Sequence, residues 1–370
     1  MASSDAPITY RAATLADVES LVALENTCFN YDRMSRRSFR HHIRSEKRDL
    51  TLAEQNGVLL GYGLVLYHQG TRLARMYSLA VSPEARGLGV GRGLMRVLER
   101  NAIRVGRHYM RLEVAKHNLG AIGLYESEGY LPFGEYQDYY EDHADALRMH
   151  KRIRRAPVEG FHRQVPWYPQ STEFTCGPAS LLMAMASLDE TRGCSLHEEL
   201  ELWREATTIF MTSGHGGCHP LGLGLAADKR GFQAEVYLST AEPLFLDGVR
   251  SEHKKTILQQ VHEGFVSECK KEDVSVVYEP FTLDAMAEDI EQGAAVLVLV
   301  STYRLDGKKA PHWVVVTGID EDCLFVHDPD IDENEQSAVD CQHIPIAKDD
   351  FDKMSAFGVQ RLRSAVILRK

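Results

Sequence analysis

Two stretches of the sequence hold residues whose types and spacing could do chemistry. In VPWYPQSTEFTCGPASLLMAMAS, Cys176 stands just before a run in which Leu181, Leu182, Met185 and Leu188 recur at helical spacing, with Pro178 suited to the first turn. A thiol at a helix N-terminus is drawn toward the thiolate, the form that attacks carbonyl carbon. Gln170 lies upstream at a distance from which a short loop could aim its amide N–H at an oxyanion forming beside that sulfur. A cysteine nucleophile also needs a base and a group to orient the base, and both are often distant in sequence. His312 begins the apolar run HWVVVTGID and Asp328 ends the run CLFVHDPD, with a turn at Asp320–Asp322 between them. A hairpin there would bring His312 and Asp328 together, the carboxylate fixing the tautomer and the other ring nitrogen facing the thiol.

The second stretch, YSLAVSPEARGLGVGRGLMRVLE, passes from a strand into a helix through Arg86-Gly87-Leu88-Gly89-Val90-Gly91. Glycines let successive backbone N–H groups approach an anion with no Cβ in the way, and the helix adds the positive end of its dipole. A diphosphate would fit, although a tight turn without a ligand would read the same. A third motif, HGGCH, offers His215, Cys218 and His219 as metal ligands. It lacks a fourth ligand at recognisable spacing, so the reading is no metal and a loop bordering the thiol's cleft. Cys28, Cys194, Cys269, Cys323 and Cys341 have no comparable partners and read as packing residues.

The elements that must position these groups fall into two sets. Before the basic run KRIRRAP at Lys151–Pro157, the pattern predicts a strand at Ile8–Arg11, helices at Leu15–Asn26 and Ser35–Ile43, and strands at Leu50–Glu54, Gly57–Tyr67 and Ala74–Val81. A helix at Gly89–Gly106, a strand at Tyr109–Val114, a helix at Ala121–Glu128 and an antiparallel pair at Leu131–Tyr140 and Ala144–Ile153 complete an α/β domain. After the run, a helix at Gly177–Leu188 and further helices to about Glu268 precede strands at Ala295–Tyr303, His312–Asp320, Cys323–His327 and Leu362–Leu368. Helices followed by antiparallel sheet is an α+β order. The expected domains are residues 1–155 and 156–370.

Bulk properties agree with two domains, since 370 residues exceed one ordinary core. A composition 44% hydrophobic and 26% charged is that of a folding chain. No apolar run approaches the roughly 18 residues of a membrane span, and the start lacks a secretory layout, so the expectation is a cytoplasmic protein without membrane association. Seven cysteines without CxxC pairs argue against a disulfide framework or a zinc ribbon. Residues 1–155 carry net charge +5 and the remainder −16. A basic first half suits an anionic cosubstrate and an acidic second half a cationic peptide, while a total of −11 speaks against a nucleic-acid partner.

The segment from Arg86 to Gly91 resembles the pyrophosphate loop of the GNAT acetyltransferases, which reads Arg or Gln, two residues, Gly, one residue, then Gly or Ala. The likeness spans about residues 8–153 and is closest to the subfamily that acetylates the N-terminal alanine of a ribosomal protein. Leu112-Glu113-Val114, Asn118, Leu124-Tyr125-Glu126-Ser127 and Tyr139-Tyr140 follow that subfamily's landmarks in order. The resemblance implies acetyl-CoA as cosubstrate, with Leu79 and Val81 bonding the pantetheine arm and Arg86, Gly87, Leu88, Gly89, Val90 and Gly91 holding the diphosphate. Asn118 joins the cofactor-binding set. Glu113 would be the general base for the acceptor ammonium and Tyr125 the acid for the CoA thiolate; otherwise they are a solvated strand-end carboxylate and a packing tyrosine. The segment NYDRMSRRSFRHHIR departs from the subfamily, so ribosomal-protein specificity is not implied and the amine could be on a peptide, a protein or a small molecule.

Gln170, Cys176-Gly177-Pro178, His312 and Asp328-Pro329 resemble the papain-like peptidases that remove double-glycine leaders from bacteriocin precursors, family 39 of the cysteine class. The likeness covers about residues 162–330 and is thin between Glu198 and Val277. The transporter and ATPase regions common in such peptidases are missing, so export is not implied. The combined expectation is a bifunctional enzyme that transfers acetyl to an amine and cleaves a peptide through Cys176. The alternatives are an acetyltransferase with a peptide-binding module that does not cut, and an acetyl-CoA sensor.

Overall fold

The computed structural model describes residues 6–154, 160–210, 215–246, 249–303, 310–331, 337–358 and 360–370. The chain divides into two compact units, Met1–Pro157 and Val158–Lys370.

The first unit runs β1 (Thr9–Ala12), α1 (Val18–Cys28), α2 (Arg36–Arg44), β2 (Arg48–Gln55), β3 (Val58–Tyr67), β4 (Leu73–Val81), α3 (Val90–Arg104), β5 (Tyr109–Ala115), α4 (Leu119–Ser127), β6 (Leu131–Tyr136) and β7 (Ala146–Arg152). Its sheet has the order β1-β2-β3-β4-β5-β7-β6, with β4 and β5 parallel and the other neighbours antiparallel. Leu94, Met95, Leu98 and Ala102 recur at helical spacing on α3 and are fully buried, which lays that helix on the sheet. On α1 and α2, Val18, Leu21, Leu24 and Phe39 do the same, packing with Leu52, Tyr62 and Leu64.

One irregularity sets up the site. The β3–β4 register shifts between Leu64/Val65, pairing Leu64 with Ser78 but Val65 with Met76, so Tyr77 is an extra residue in β4. Such a bulge bends a strand and increases its twist. At the same place β4 parts from β5, because their pairing ends at Met76 and Leu112 while β4 continues to Val81 and β5 to Ala115. The ends of two neighbouring strands are thereby splayed around a wedge.

The second unit runs β8 (Phe161–His162), α5 (Cys176–Leu188), α6 (Leu196–Ala206), α7 (Pro220–Asp228), β9 (Gln233–Leu238), α8 (Glu252–Lys271), β10 (Ser275–Val277), α9 (Leu283–Glu291), β11 (Ala295–Ser301), β12 (Pro311–Ile319), β13 (Cys323–His327), β14 (Ile344–Ala347), α10 (Lys348–Met354) and β15 (Ser364–Arg369). The sheet order is β10-β9-β15-β11-β12-β13-β14, with β8 pairing β12. The sequence reading carried helices through to Glu268; the structure interrupts them with β9, whose Ala234, Val236 and Leu238 alternate inward at strand period. β10 pairs parallel to β9, so this sheet is not wholly antiparallel.

Helix α5 is buried along almost its whole length, which a hydrophobic helix laid across a sheet requires. It approaches β12 closely because residue 177 is glycine: a Cβ there would stand 3.0 Å from Cys218 Cβ and 3.2 Å from Trp313 Cδ1. One turn on, Ser180 Oγ donates to the Trp313 carbonyl at 3.1 Å. The start of α5 is thus pinned against the strand that carries His312. Gly177→Ala is expected to cost about 1–3 kcal/mol by overpacking and Ser180→Ala about 1 kcal/mol by orphaning a buried carbonyl, both read by urea melts. A Gly177→Ala variant as stable as the parent would show that the contact yields freely.

Candidate active sites

In the first unit the glycine turn is shaped by backbone conformation. Gly87 and Gly89 have φ of +84° and +79°, and a Cβ at either would meet nothing within 4 Å, so glycine is needed for the left-handed conformation and not for space. The first backbone bond of α3 runs from Gly93 N–H to the Gly89 carbonyl, so the N–H groups of Val90, Gly91 and Arg92 lie before the first bonded donor. Arg86, Gly87, Leu88 and Gly89 are exposed, Val90 is buried as an anchor, and Gly91 sits close to Val81 and Leu124. An exposed nest of N–H groups at the start of a 15-residue helix is what a diphosphate needs, and the splayed end of β4, with Leu79 and Val81, leads into it.

A cleft of about 570 Å³ opens at the splay and is lined by Leu79, Glu113, Asn118, Tyr125, Tyr139 and Tyr140, among others. Glu113 is buried, and its Oε2 accepts from Arg75 Nε at 2.8 Å. Arg75 also donates to the Tyr139 hydroxyl at 2.8 Å. Glu113 Oε1 has no hydrogen-bond partner among the described residues, leaving one oxygen for an amine or a relaying water. Tyr125 is 8% exposed, and burial pushes its hydroxyl up to about 12, so it keeps its proton at neutral pH. Asn118 has a structural duty as well, since its Oδ1 caps α4, the helix that carries Tyr125, by accepting from Ala121 N–H at 3.2 Å. Two residues absent from the sequence reading belong here. Arg75 orients Glu113, and Glu25, on the buried face of α1, lines the cleft while accepting from Met34 N–H at 2.8 Å and from the Tyr62 hydroxyl. Burial raises the Glu25 carboxyl above the usual carboxylate range. A glutamate on the apolar stripe of α1, after Val18 and Leu21, was the available signal.

In the second unit three of the four expected residues converge. Cys176 is the first residue of α5 and lines a cleft of about 490 Å³ with Glu173, Phe174, Leu244, Phe245 and Leu362, among others. His312 Nε2 lies 2.7 Å from Asp328 Oδ1, and the Cys176 thiol is close enough to add to the raising of the imidazole. With Nε2 on the carboxylate, Nδ1 is the nitrogen left for sulfur. The hairpin forms as its turn demands: Asp320 Oδ1 accepts from Asp322 and Cys323 N–H, both at 2.8 Å, closing β12 onto β13. Asp328 is held in turn by its N–H on the Cys341 carbonyl at 2.8 Å and by Trp167 Nε1 on its carbonyl at 2.9 Å. Burial opposes charge on His312, but Asp328 and Cys176 outweigh it and hold the imidazole well above its ordinary value.

Gln170 is brought to the same corner by its N–H on the Pro329 carbonyl at 2.8 Å. Its Nε2, however, donates to Asp330 Oδ1 at 3.2 Å, and Gln170 is not among the residues lining the Cys176 cleft. The HGGCH residues are drawn apart. His215 lines the cleft, Cys218 is buried behind Gly177, and His219 Nε2 meets His262 Nδ1 at 3.0 Å with its Nδ1 taken by Leu221 N–H. Burial holds His219 down at about 3. No cluster of three metal-ligating side chains occurs among the described residues.

The fold defines a two-part chain: an acetyltransferase-type mixed sheet with a glycine-rich helix start, and a second mixed sheet whose hairpin brings His312 to Asp328 near the start of α5. The model described as the Acetyltransferase (GNAT) family matches residues 18–130, and that of the Peptidase_C39 like family matches residues 165–369. The chain belongs to the GNAT family through its first unit and to the Peptidase_C39 like family through its second. It is 31% identical over 160 residues to the N-alpha-acetyltransferase RimI of Mycobacterium tuberculosis, covering 41% of this chain and 96% of that protein. It is 36% identical over 102 residues to an uncharacterized N-acetyltransferase of Methanocaldococcus jannaschii, covering 27% of this chain and 64% of that one. A solved structure, the ribosomal-protein-S18-alanine N-acetyltransferase of Escherichia coli, matches at 25% identity and TM-score 0.38, covering 41% of this chain and 97% of its own.

The Asp328 contact generates an expected pH dependence. A histidine raised on folding contributes stability that is full below its unfolded value of about 6.5 and is lost as pH rises through the higher folded value. Asp328→Asn is therefore expected to lower the melting temperature most between about pH 5 and 6.5, with the gap narrowing at alkaline pH. A gap that widened with pH would contradict the ion pair.

Proposed function

We propose that the chain is a bifunctional enzyme, an N-acetyltransferase that takes acetyl from acetyl-CoA to an amine on a peptide or protein N-terminus and a thiol-dependent peptidase. The observation that carries the second activity is His312 held between Cys176 and Asp328. The peptide acceptor is suggested by a relative named as an N-alpha-acetyltransferase. No disulfide joins cysteines among the described residues, the state that a reducing cytoplasm maintains, and we place the protein there.

In the first site acetyl-CoA supplies the activated acyl group. The nest from Arg86 to Gly91 and the splayed edge of β4 hold it, and Asn118 braces α4. Glu113, steadied by Arg75, takes a proton from the acceptor ammonium at Oε1, directly or through water. Tyr125 gives its proton to the departing thiolate. In the second site the Cys176 thiolate adds to the scissile carbonyl, and the Cys176 N–H at the helix start, with no intrahelical acceptor, faces the developing oxyanion. His312 passes its proton to the leaving amine, and water then releases the acyl group from sulfur. Each cleavage frees an amine, the substrate type of the first site. One observation favours the reading of a binding module that does not cut: Gln170 has its Nε2 on Asp330, so it joins the oxyanion site only by exchanging that bond.

Two experiments test the pair. Labelling intact protein with a thiol-directed epoxide, read by mass spectrometry, is expected to modify Cys176, to fail in Cys176→Ala and to slow at least about tenfold in His312→Ala. Labelling of Cys176 no faster than the other cysteines would leave the binding module. Tyr125→Phe is expected to lower kcat for acetyl transfer about 10²–10⁴-fold with little change in the acetyl-CoA KM, and the parent should show no alkaline fall attributable to Tyr125 below about pH 10. An unchanged kcat would remove Tyr125 from the chemistry.

A further inference from the structure

Helix α2 carries an uncompensated charge pattern. Arg36, Arg37, Arg40, His41 and Arg44 are exposed, and at about 100° per residue they fall within one arc of roughly 140°. Phe39 and His42, the buried residues, occupy the opposite side. Arg36 pairs with Glu19, while Arg37, Arg40 and Arg44 have no ion pair among the described residues. The pairs 36/40, 37/41 and 40/44 set like or potentially like charges one helical turn apart, which weakens a helix. Two arginines also stand in the first turn, where the dipole disfavours cations, and there is no acidic residue there. The arrangement costs stability, and of its four arginines only Arg36 gains an ion pair within the described fold.

Its location says what would offset the cost. Met34, which lines the acetyl-transfer cleft, immediately precedes the Ser35 cap of α2. Farther along the helix the His42 ring lies 6.1 Å from that of Tyr77, the bulge residue that also lines the cleft. The helix therefore borders the cleft at its cap and through His42, with the arginine arc on its outer side. The cleft itself carries the opposite sign on balance, with Glu25, Asp32, Glu113 and Asp142 in its walls against Arg75. A ligand passing from cleft to helix meets carboxylates first and guanidinium groups next. Resting on the peptide-acceptor reading above, we infer that the acceptor is a chain whose N-terminal ammonium enters the acidic cleft and whose following residues, acidic in character, lie on the cationic face of α2. Nine residues of helix are about 13 Å long, room for roughly four residues of extended peptide. The short stripe, whose exposed rings amount to His41 alone with no Phe, Tyr or Trp for stacking bases, favours an acidic peptide over a nucleic acid.

The test measures CoA release by the full-length protein with synthetic peptides that share an N-terminal Ala-Ala and continue as four Glu, four Gln or four Lys. The acidic peptide is expected to have kcat/KM about tenfold above the neutral one at low salt, the tenfold residing in KM and shrinking at high salt. In Arg37→Glu/Arg40→Glu/Arg44→Glu the acidic-to-neutral ratio should fall to one or below and the lysine peptide should gain. Equal kcat/KM for the three peptides in the parent overturns the inference. Binding of an RNA oligonucleotide that is lost in the triple variant, without acidic-peptide preference, overturns it in favour of a nucleic-acid surface. Acetylation of small amines but of no peptide removes the peptide-acceptor reading and this inference together, an outcome distinct from equal peptide rates.

Discussion

An imidazole taken out of water between a thiol and a carboxylate is the interaction on which the second unit is organised. Burial alone would strip the proton from His312, and the Asp328 oxygen at 2.7 Å reverses that. Holding the carboxylate there demands a closed β12–β13 hairpin, which the Asp320 side chain secures at the turn, and a fixed Asp328 backbone, which Trp167 and Cys341 secure at the end. Holding the thiol there demands that α5 start against β12, which the missing Cβ of Gly177 permits. Helix start, strand and hairpin are thus three ways of meeting one requirement.

The first unit answers a different constraint, that backbone groups be left unpaired for a ligand while the sheet remains continuous. A buried unpaired strand edge is costly, so the departure is confined to the ends of β4 and β5 beyond Met76 and Leu112. The bulge at Tyr77 turns β4 away without breaking its ladder to β3. Glu113 lines the same opening with its side chain withdrawn from water, which calls for a fixed partner, and Arg75 on the adjoining strand supplies it.

The two-unit α/β and α+β scaffold was legible in the sequence, and so was the local setting of several candidate residues. Cys176, His312 and Asp328 could be found because a helix start, an apolar strand and a turn each have a local signature. The loop from Arg86 to Gly91 could be found because positive φ selects glycine. The pairing of Arg75 with Glu113 depends on register between strands distant in sequence, which no local pattern records. The bulge at Tyr77 is likewise a property of two strands paired, not of either alone. For Gln170 the side-chain type and spacing were visible, but the competing Asp330 was not, because the backbone contact that joins the two loops is formed by tertiary folding. β14 has no counterpart in the sequence reading; its Pro345 is unsuited to a central strand and is tolerated here at the sheet edge.

Asp328 and the Cys176 sulfur together hold the His312 imidazole above its ordinary value in a buried site. An NMR titration of the His312 ring, in the full-length protein and in Cys176→Ala, tests it most directly. The account requires an imidazolium that persists well above the ordinary histidine value in the parent and titrates lower once the sulfur is gone. A neutral His312 ring throughout the neutral range, indifferent to Cys176, would contradict it.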